Sequence, residues 1–175
     1  MKKIAYLIAA LALAVSTFGQ GQINLNNRGL ALVTDGSGRP LTGTSFVAQV
    51  WYGASASTLT SSFAPSPFRA STTTYPGSWN PAATGGPGTI ATLTGFAAGS
   101  SVTLQVRVWD SSRFTTWVQA QQDPRVKWIT GVSDTFTYSI PTDTLAIPGG
   151  MENMKSFMVG QAGTDLPEPT TIALV

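Results

Sequence analysis

The chain has 175 residues, of which 42% are hydrophobic and only 10% are charged, and it contains neither cysteine nor histidine. Its length and apolar content are sufficient for one folded domain with a sizeable core, and they argue against a chain that is disordered throughout. The missing residue types exclude disulfide bonds, thiolate chemistry and a Ser-His-Asp triad, and they remove the strongest zinc ligands.

The formal net charge of +2 arises at the very start of the chain. Lys2 and Lys3 are two of the ten basic residues, and the remaining eight balance the eight acidic residues. A balanced surface gives no electrostatic reason to bind nucleic acid. We therefore expect no nucleic-acid partner.

The first 19 residues have the pattern of a secretory signal peptide. Lys2 and Lys3 form a basic start, and residues 4–15 form a continuous apolar run. This run has the length of a signal-peptide core and is shorter than the roughly 20 residues of a membrane span. The pattern predicts a signal helix over residues 1–19 and an exported protein. The structural alternative is a buried N-terminal helix.

Small residues mark the predicted cleavage site. Thr17 and Gly19 occupy the −3 and −1 positions if cleavage occurs before Gln20. Cleavage after Ser16, with Ala14 at −3, is the alternative. Either site implies that the export machinery and a signal peptidase act on the chain.

The body, residues 20–160, contains short segments in which apolar and polar residues alternate, separated by Gly, Pro, Asn and Asp turns. The predicted strands cover residues 22–27, 46–52, 89–93, 101–110, 134–140 and 156–159. Period-2 alternation without a long helical pattern or an internal repeat indicates an all-β domain. We predict a single antiparallel β-sandwich, Ig-like or jelly-roll-like, with long Ser/Thr/Gly/Pro loops.

The clearest strand covers residues 101–110. Its predicted core face consists of Val102, Leu104, Val106 and Val108. Its other face, predicted to lie toward solvent, consists of Thr103, Gln105, Arg107 and Trp109. Arg107 lies next to Trp109 on this face, and we interpret it as making a structural cation–π or ladder contact with a neighbouring strand.

Two connections of this domain have their own signals. Residues 116–122 lack strand alternation and predict a short helix, which Thr115 or Thr116 would cap and which Asp123-Pro124 would end. Residues 54–67 predict a long crossing loop with room for one edge strand. The segment 134–140 is predicted to turn Phe136, Tyr138 and Ile140 inward.

The five tryptophans allow two interpretations. These residues are Trp51, Trp79, Trp109, Trp117 and Trp128. Exposed indole rings on a β-sandwich could stack on sugars, which would make the domain a carbohydrate-binding module. The favoured interpretation is packing, because indoles are costly to expose and a domain without disulfides needs them in its core.

Three carboxylates near strand ends are the candidates for chemistry. Glycoside hydrolysis needs two carboxyl groups about 5 to 10 Å apart, which Asp110, Asp123 and Asp134 could supply. Aspartate also favours turns and caps, and this structural role is the favoured one. We therefore predict no catalytic residue, no metal and no cofactor.

The end of the chain carries its most specific motif. Pro167-Glu168-Pro169 follows a polar spacer and leads into Thr-Thr-Ile-Ala-Leu-Val. This tail closely resembles the sorting signal of PEP-CTERM proteins. Parts of the body, residues 21–28, 47–50, 67–69, 105–110 and 136–137, also resemble one group within that family.

The resemblance implies where the protein is sent in the cell and does not imply that it catalyses a reaction. PEP-CTERM proteins are exported by Gram-negative bacteria that make exopolysaccharide, and an exosortase-type membrane protease is thought to process them. By this resemblance Pro167, Glu168 and Pro169 form the sorting motif of a non-enzymatic envelope or extracellular-matrix protein, with exopolysaccharide as a further partner. Residues 161–175 would be the spacer and the start of the signal.

The tail departs from the family pattern in its length. The family continues from the triplet into a membrane-spanning helix and a basic cluster, whereas only residues 170–175 follow Pro169 here. A spanning helix needs roughly 20 apolar residues. We therefore expect the signal to be incomplete in this sequence, so that any membrane anchoring requires a longer tail.

Overall fold

A computed structural model describes residues 20–61, 63–81, 89–143 and 145–160. Strands dominate this part of the chain, and its helices are short, so the predicted all-β class is confirmed. The strands are β1 (Gln20–Asn24), β2 (Val33–Asp35), β3 (Phe46–Gly53), β4 (Ser66–Pro67), β5 (Ile90–Ala97), β6 (Ser101–Asp110), β7 (Thr130–Val132), β8 (Phe136–Ser139) and β9 (Phe157–Val159). The helices are α1 (Trp117–Gln122), α2 (Val126–Ile129) and a 3-10 turn (Ala56–Thr58). Within the described ranges no helix has the length and hydropathy needed to cross a bilayer.

The central sheet is antiparallel and is built around β6. Its order is β4-β3-β6-β7, and β8 pairs with β6 as well. The β3–β6 register runs from Phe46 opposite Asp110 to Gly53 opposite Thr103. β7 and β8 occupy the other edge of β6 one after the other. The predicted central position of the 101–110 strand is therefore confirmed.

Two further strand pairs flank this sheet. β1 pairs antiparallel with β5, and the register shifts between Gln20 and Gly21. β2 pairs with β9 in parallel, with Val33 opposite Phe157. The expectation of a purely antiparallel fold is therefore wrong at this pair. β2 and β9 lie near opposite ends of the body, and the long intervening chain lets them align in the same direction.

The ends of two strands differ from their predicted positions. β1 ends at Asn24 rather than at residue 27, because the side chains of Asn24 and Asn26 accept hydrogen bonds from the backbone N–H groups of Asn26 and Arg28 and form a turn. β5 continues to Ala97, past Gly95, which adopts a φ of 86° within the strand. The sequence instead predicts a connection at this glycine.

The main core lies on one face of the central sheet. The predicted inward residues of β6 are all buried: Val102, Leu104, Val106 and Val108. Those of the 134–140 segment are buried as well: Phe136, Tyr138 and Ile140. The other strand pairs add Ile23, Val33, Leu93 and Val159 to the same hydrophobic cluster. The Tyr138 hydroxyl donates to the Gln22 carbonyl at 2.9 Å, which ties β8 to β1.

The opposite face of β6 carries a second, smaller core. Its buried members are Trp109, Trp117 and Ala120, and Val47, Trp51 and Phe114 pack against them. α1 lies over this face. The Thr116 hydroxyl caps α1 by accepting the Gln119 N–H, as predicted. The prediction that this face of β6 lies toward solvent is therefore wrong at Trp109.

Candidate functional site

Three of the five tryptophans are buried. Trp79 and Trp109 are 1% exposed, and Trp117 is 4% exposed. Trp79 packs edge-to-face on Phe68, and its indole N–H donates to the Leu25 carbonyl. These three rings are buried, so the alternative interpretation, stacking on a sugar at the surface, does not apply to them. The packing interpretation is confirmed for them.

The other two tryptophans are partly exposed. The Lys127 ammonium lies 5.4 Å from the centroid of the Trp128 ring. Trp51 lies on the outer face of β3, and its indole N–H donates to Gln49 Oε1 at 3.1 Å. Any sugar-stacking role of a tryptophan is thus limited to these two positions.

On the outer face of the central sheet, the Arg107 side chain lies close to two tryptophan rings, those of Trp51 and Trp117. Its guanidinium carbon lies 3.9 Å from the centroid of the Trp51 ring and 5.5 Å from that of Trp117. The predicted contact of Arg107 with a neighbouring strand is therefore confirmed, since Trp51 lies on β3. The observed geometry follows from the register, because Arg107 lies opposite Gln49 and Trp51 lies opposite Gln105, which places the arginine and Trp51 diagonally across two strands. We call Gln49, Trp51, Gln105, Arg107 and Trp117 the arginine–tryptophan face.

Backbone contacts fix the two glutamines of this face. Gln49 Nε2 donates to the Phe63 carbonyl at 2.7 Å, and Gln105 Nε2 donates to the Ser133 carbonyl at 3.4 Å. Gln105 Oε1 accepts the Nε–H of Arg107 at 2.9 Å. The arginine is therefore held from two sides, by Gln105 and by the Trp51 ring.

The arginine–tryptophan face carries one positive charge, that of the Arg107 guanidinium. Burial lowers the pKa of the Arg107 guanidinium, although an arginine keeps its charge at neutral pH. No carboxylate in the described part of the chain forms an ion pair with it. The indole N–H of Trp117 is also buried without a hydrogen-bond partner. Within the described residues the positive charge of this face is therefore not balanced by an ion pair.

The three candidate carboxylates have local structural roles. Asp110 forms an ion pair with Arg113 at 3.2 Å and accepts the Ser112 N–H. Asp123 binds Arg125, whose side-chain and backbone hydrogen bonds lower the pKa of Asp123 to about 2. The predicted turn and cap roles are confirmed for both.

Asp134 lies apart from Asp110. The Ser133 N–H donates to the Val106 carbonyl, which places Asp134 near the middle of β6, whereas Asp110 ends that strand. The stretch from Val106 to Asp110 spans about 13 Å at ~3.3 Å per residue. This exceeds the separation of a glycosidase pair. In the described ranges no group of three or more potential ligands could hold a metal ion.

The predicted processing residues lie at or beyond the limits of the described structure. Thr17, Gly19 and the triplet Pro167-Glu168-Pro169 are outside the described residues. Gln20 is the first residue of β1, where its backbone pairs with Ala97. Among the described residues, the one that follows the predicted cleavage site is therefore paired in a strand.

No protein-family model matches this chain, and neither the curated proteins nor the solved structures give a match. Function therefore has to be argued from the residues themselves. Sequence reasoning missed Gln49 and Gln105 as parts of a polar face. Their alternation with Trp51 and Arg107 on two neighbouring strands is the signal that could have identified them.

Proposed function

We propose that this chain is an exported, non-enzymatic protein of the cell envelope or extracellular matrix, sorted by an exosortase-type membrane protease. The observation that carries the proposal is the Pro167-Glu168-Pro169 triplet followed by apolar residues, in a chain that also begins with a signal-peptide pattern. The balanced charge of the remaining chain and its Ser/Thr/Gly-rich loops fit an extracellular location.

The position of the folded body is consistent with processing at both ends. β1 begins at Gln20 and β9 ends at Val159. Cleavage before Gln20, or sorting at the triplet, would therefore leave every described strand in the mature protein.

We also propose that the sheets form one β-sandwich with an Ig-like or jelly-roll-like arrangement and one parallel strand pair. The support is a single hydrophobic cluster that includes Ile23 of β1, Leu93 of β5 and Val159 of β9 together with the inward side of β6. Sheets that share one core in this way are typical of two packed layers.

Replacing Glu168 with alanine in the full-length gene product tests the sorting proposal. We expect the variant to be exported but to remain unprocessed, because the only charged group of the triplet is removed. Fractionation with mass measurement of the mature chain gives the readout. Asp165→Ala is the matched control, since it removes an acid just outside the triplet and should be processed normally. Wild-type processing and location of Glu168→Ala would contradict the proposal.

Carbohydrate binding is the second candidate function, now limited to Trp51 and Trp128. The observation that favours it is the setting of Trp51, a partly exposed indole between fixed glutamines and Arg107, since sugar and ligand sites combine aromatic surface with a few placed polar groups.

Titration with exopolysaccharide fragments, followed by tryptophan fluorescence, tests this second candidate. We expect Trp51→Ala to weaken binding roughly tenfold or more, because it removes an aromatic contact at the centre of the site. Trp128→Ala, on the other partly exposed indole, compares the two positions. An absence of saturable binding at millimolar sugar counts against the carbohydrate proposal and leaves the sorting proposal untouched.

A further inference from the structure

The arginines in the described part of the chain fall into two groups. Three form ion pairs with an aspartate two to four residues away: Arg39 with Asp35 at 3.1 Å, Arg113 with Asp110 at 3.2 Å and Arg125 with Asp123 at 2.8 Å. The other three, Arg28, Arg69 and Arg107, form no ion pair in the same ranges. Arg107 belongs to the arginine–tryptophan face. Arg28 and Arg69 lie elsewhere and require a separate explanation.

Arg28 and Arg69 flank the same short segment of chain. The side-chain amide of Asn27, the residue before Arg28, donates to the Gly77 carbonyl at 3.3 Å. The backbone N–H of Arg69 donates to the Ser78 carbonyl at 2.9 Å. Two positive residues far apart in sequence are thus brought to one part of the surface by the fold.

Neither guanidinium forms an ion pair with a carboxylate of the described ranges. The Nε–H of Arg69 is buried without a hydrogen-bond partner. Burial lowers the pKa of Arg69, and the positive charge of Arg28 lowers this pKa further, so the two cations lie within electrostatic reach of each other. A partly dehydrated cation beside a like charge is unfavourable unless an anion accompanies it.

We propose that Arg28 and Arg69 bind a doubly charged oxyanion, a phosphate or sulfate group. Two guanidinium groups offer planar forks of donors and two positive charges. A tetrahedral dianion has the charge and the oxygens to satisfy both, whereas a carboxylate supplies one charge and two oxygens. Tyr75 lies beside Arg28: the Arg28 guanidinium carbon is 5.5 Å from its ring centroid, and Tyr75 is 40% exposed. This site is independent of the sorting motif.

Thermal unfolding and calorimetric titration of the full chain test the site with inorganic phosphate, sulfate, acetate and chloride at one ionic strength. We expect phosphate or sulfate to raise the unfolding midpoint and to bind saturably, because a ligand that binds only the folded state stabilises it. Acetate and chloride should have little effect. The comparison of phosphate with sulfate shows which of the two oxyanions the site prefers.

Arginine variants separate a bound anion from a general salt effect. Arg28→Gln and Arg69→Gln should each weaken anion binding roughly tenfold or more, because each removes a charge-assisted pair. Arg39→Gln, whose cation already has Asp35, is the matched control and should bind the anion like the wild type. Arg28 is exposed, so Arg28→Gln remains informative if Arg69→Gln fails to fold.

A measurement without added anion gives a second readout. Removing Arg28 should raise the unfolding midpoint at low ionic strength, because the repulsion on Arg69 disappears. A structural cation–π role of Arg28 on Tyr75 predicts the opposite, a lower midpoint. Equal stabilisation by all four anions, or unchanged phosphate and sulfate binding in Arg28→Gln, would overturn the proposed site.

Discussion

Replacing Trp109 with alanine is expected to lower the free energy of unfolding by about 3 to 5 kcal/mol, the range for a fully buried large aromatic side chain. Trp109 is 1% exposed and its ring centroid lies 6.3 Å from that of Trp117 in an edge-to-face arrangement. Its indole N–H donates to the Phe114 carbonyl at 3.0 Å. The variant therefore loses packing, an aromatic pair and the partner of a backbone carbonyl.

Urea unfolding measures this loss of free energy. Two further variants separate the contribution of the hydrogen bond from that of packing and compare a buried indole with a partly exposed one. Trp109→Phe keeps an aromatic ring but removes the hydrogen bond to Phe114, and should lose less stability than the alanine variant. Trp128→Ala removes an indole that is partly exposed and should have the smallest effect. If Trp109→Ala and Trp128→Ala lower the free energy of unfolding equally, the second, smaller core under α1 does not stabilise the domain as the structure indicates.

This second core shows how far alternation can predict a sheet. The period-2 pattern of β6 identified the inward residues Val102 to Val108 because backbone geometry alone separates the two faces of a strand. It does not show what covers each face. The outer face is polar apart from Trp109, and its cover comes from α1, which was predicted as a helix but without a packing partner. Alternation likewise predicted a contact of Arg107 with a neighbouring strand but could not identify Trp51 as its partner.

Non-local features were the least predictable from sequence. β2 and β9 are three-residue strands, too short to show a period, and their pairing joins Val33 to Phe157 across most of the body. The approach of Arg28 to Arg69 likewise depends on the chain segment at Gly77 and Ser78. By contrast, turn aspartates such as Asp123 act within a few residues, so local chemistry was sufficient to predict them.

Replacing Asn27 with alanine is expected to cost about 3 kcal/mol of unfolding free energy, because each buried polar group left unpaired costs about 1–3 kcal/mol. Asn27 is 0% exposed. Its Nδ2 donates to the Ala31 carbonyl at 2.8 Å and to that of Gly77 at 3.3 Å, and its Oδ1 accepts the Trp79 N–H at 3.1 Å. Loss of this side chain removes the partner of the Ala31 carbonyl and of the Trp79 N–H, whereas the Gly77 carbonyl also accepts the Val33 N–H at 3.1 Å.

Asn153→Ala is the matched control for this variant, because Asn153 is exposed and donates a single bond to the Thr137 carbonyl at 2.8 Å. Exposed sites of this kind usually change stability by no more than about 0.5 kcal/mol. Asn27→Asp tests the donor and acceptor halves of the amide separately. It keeps an acceptor for the Trp79 N–H, but it loses both donated hydrogen bonds and buries a charge. At neutral pH it should therefore lower the free energy of unfolding at least as much as Asn27→Ala does. A loss for Asn27→Ala as small as that for Asn153→Ala would mean that water replaces these bonds. The turn before β2 would then not be the rigid support that positions Arg28 beside Arg69.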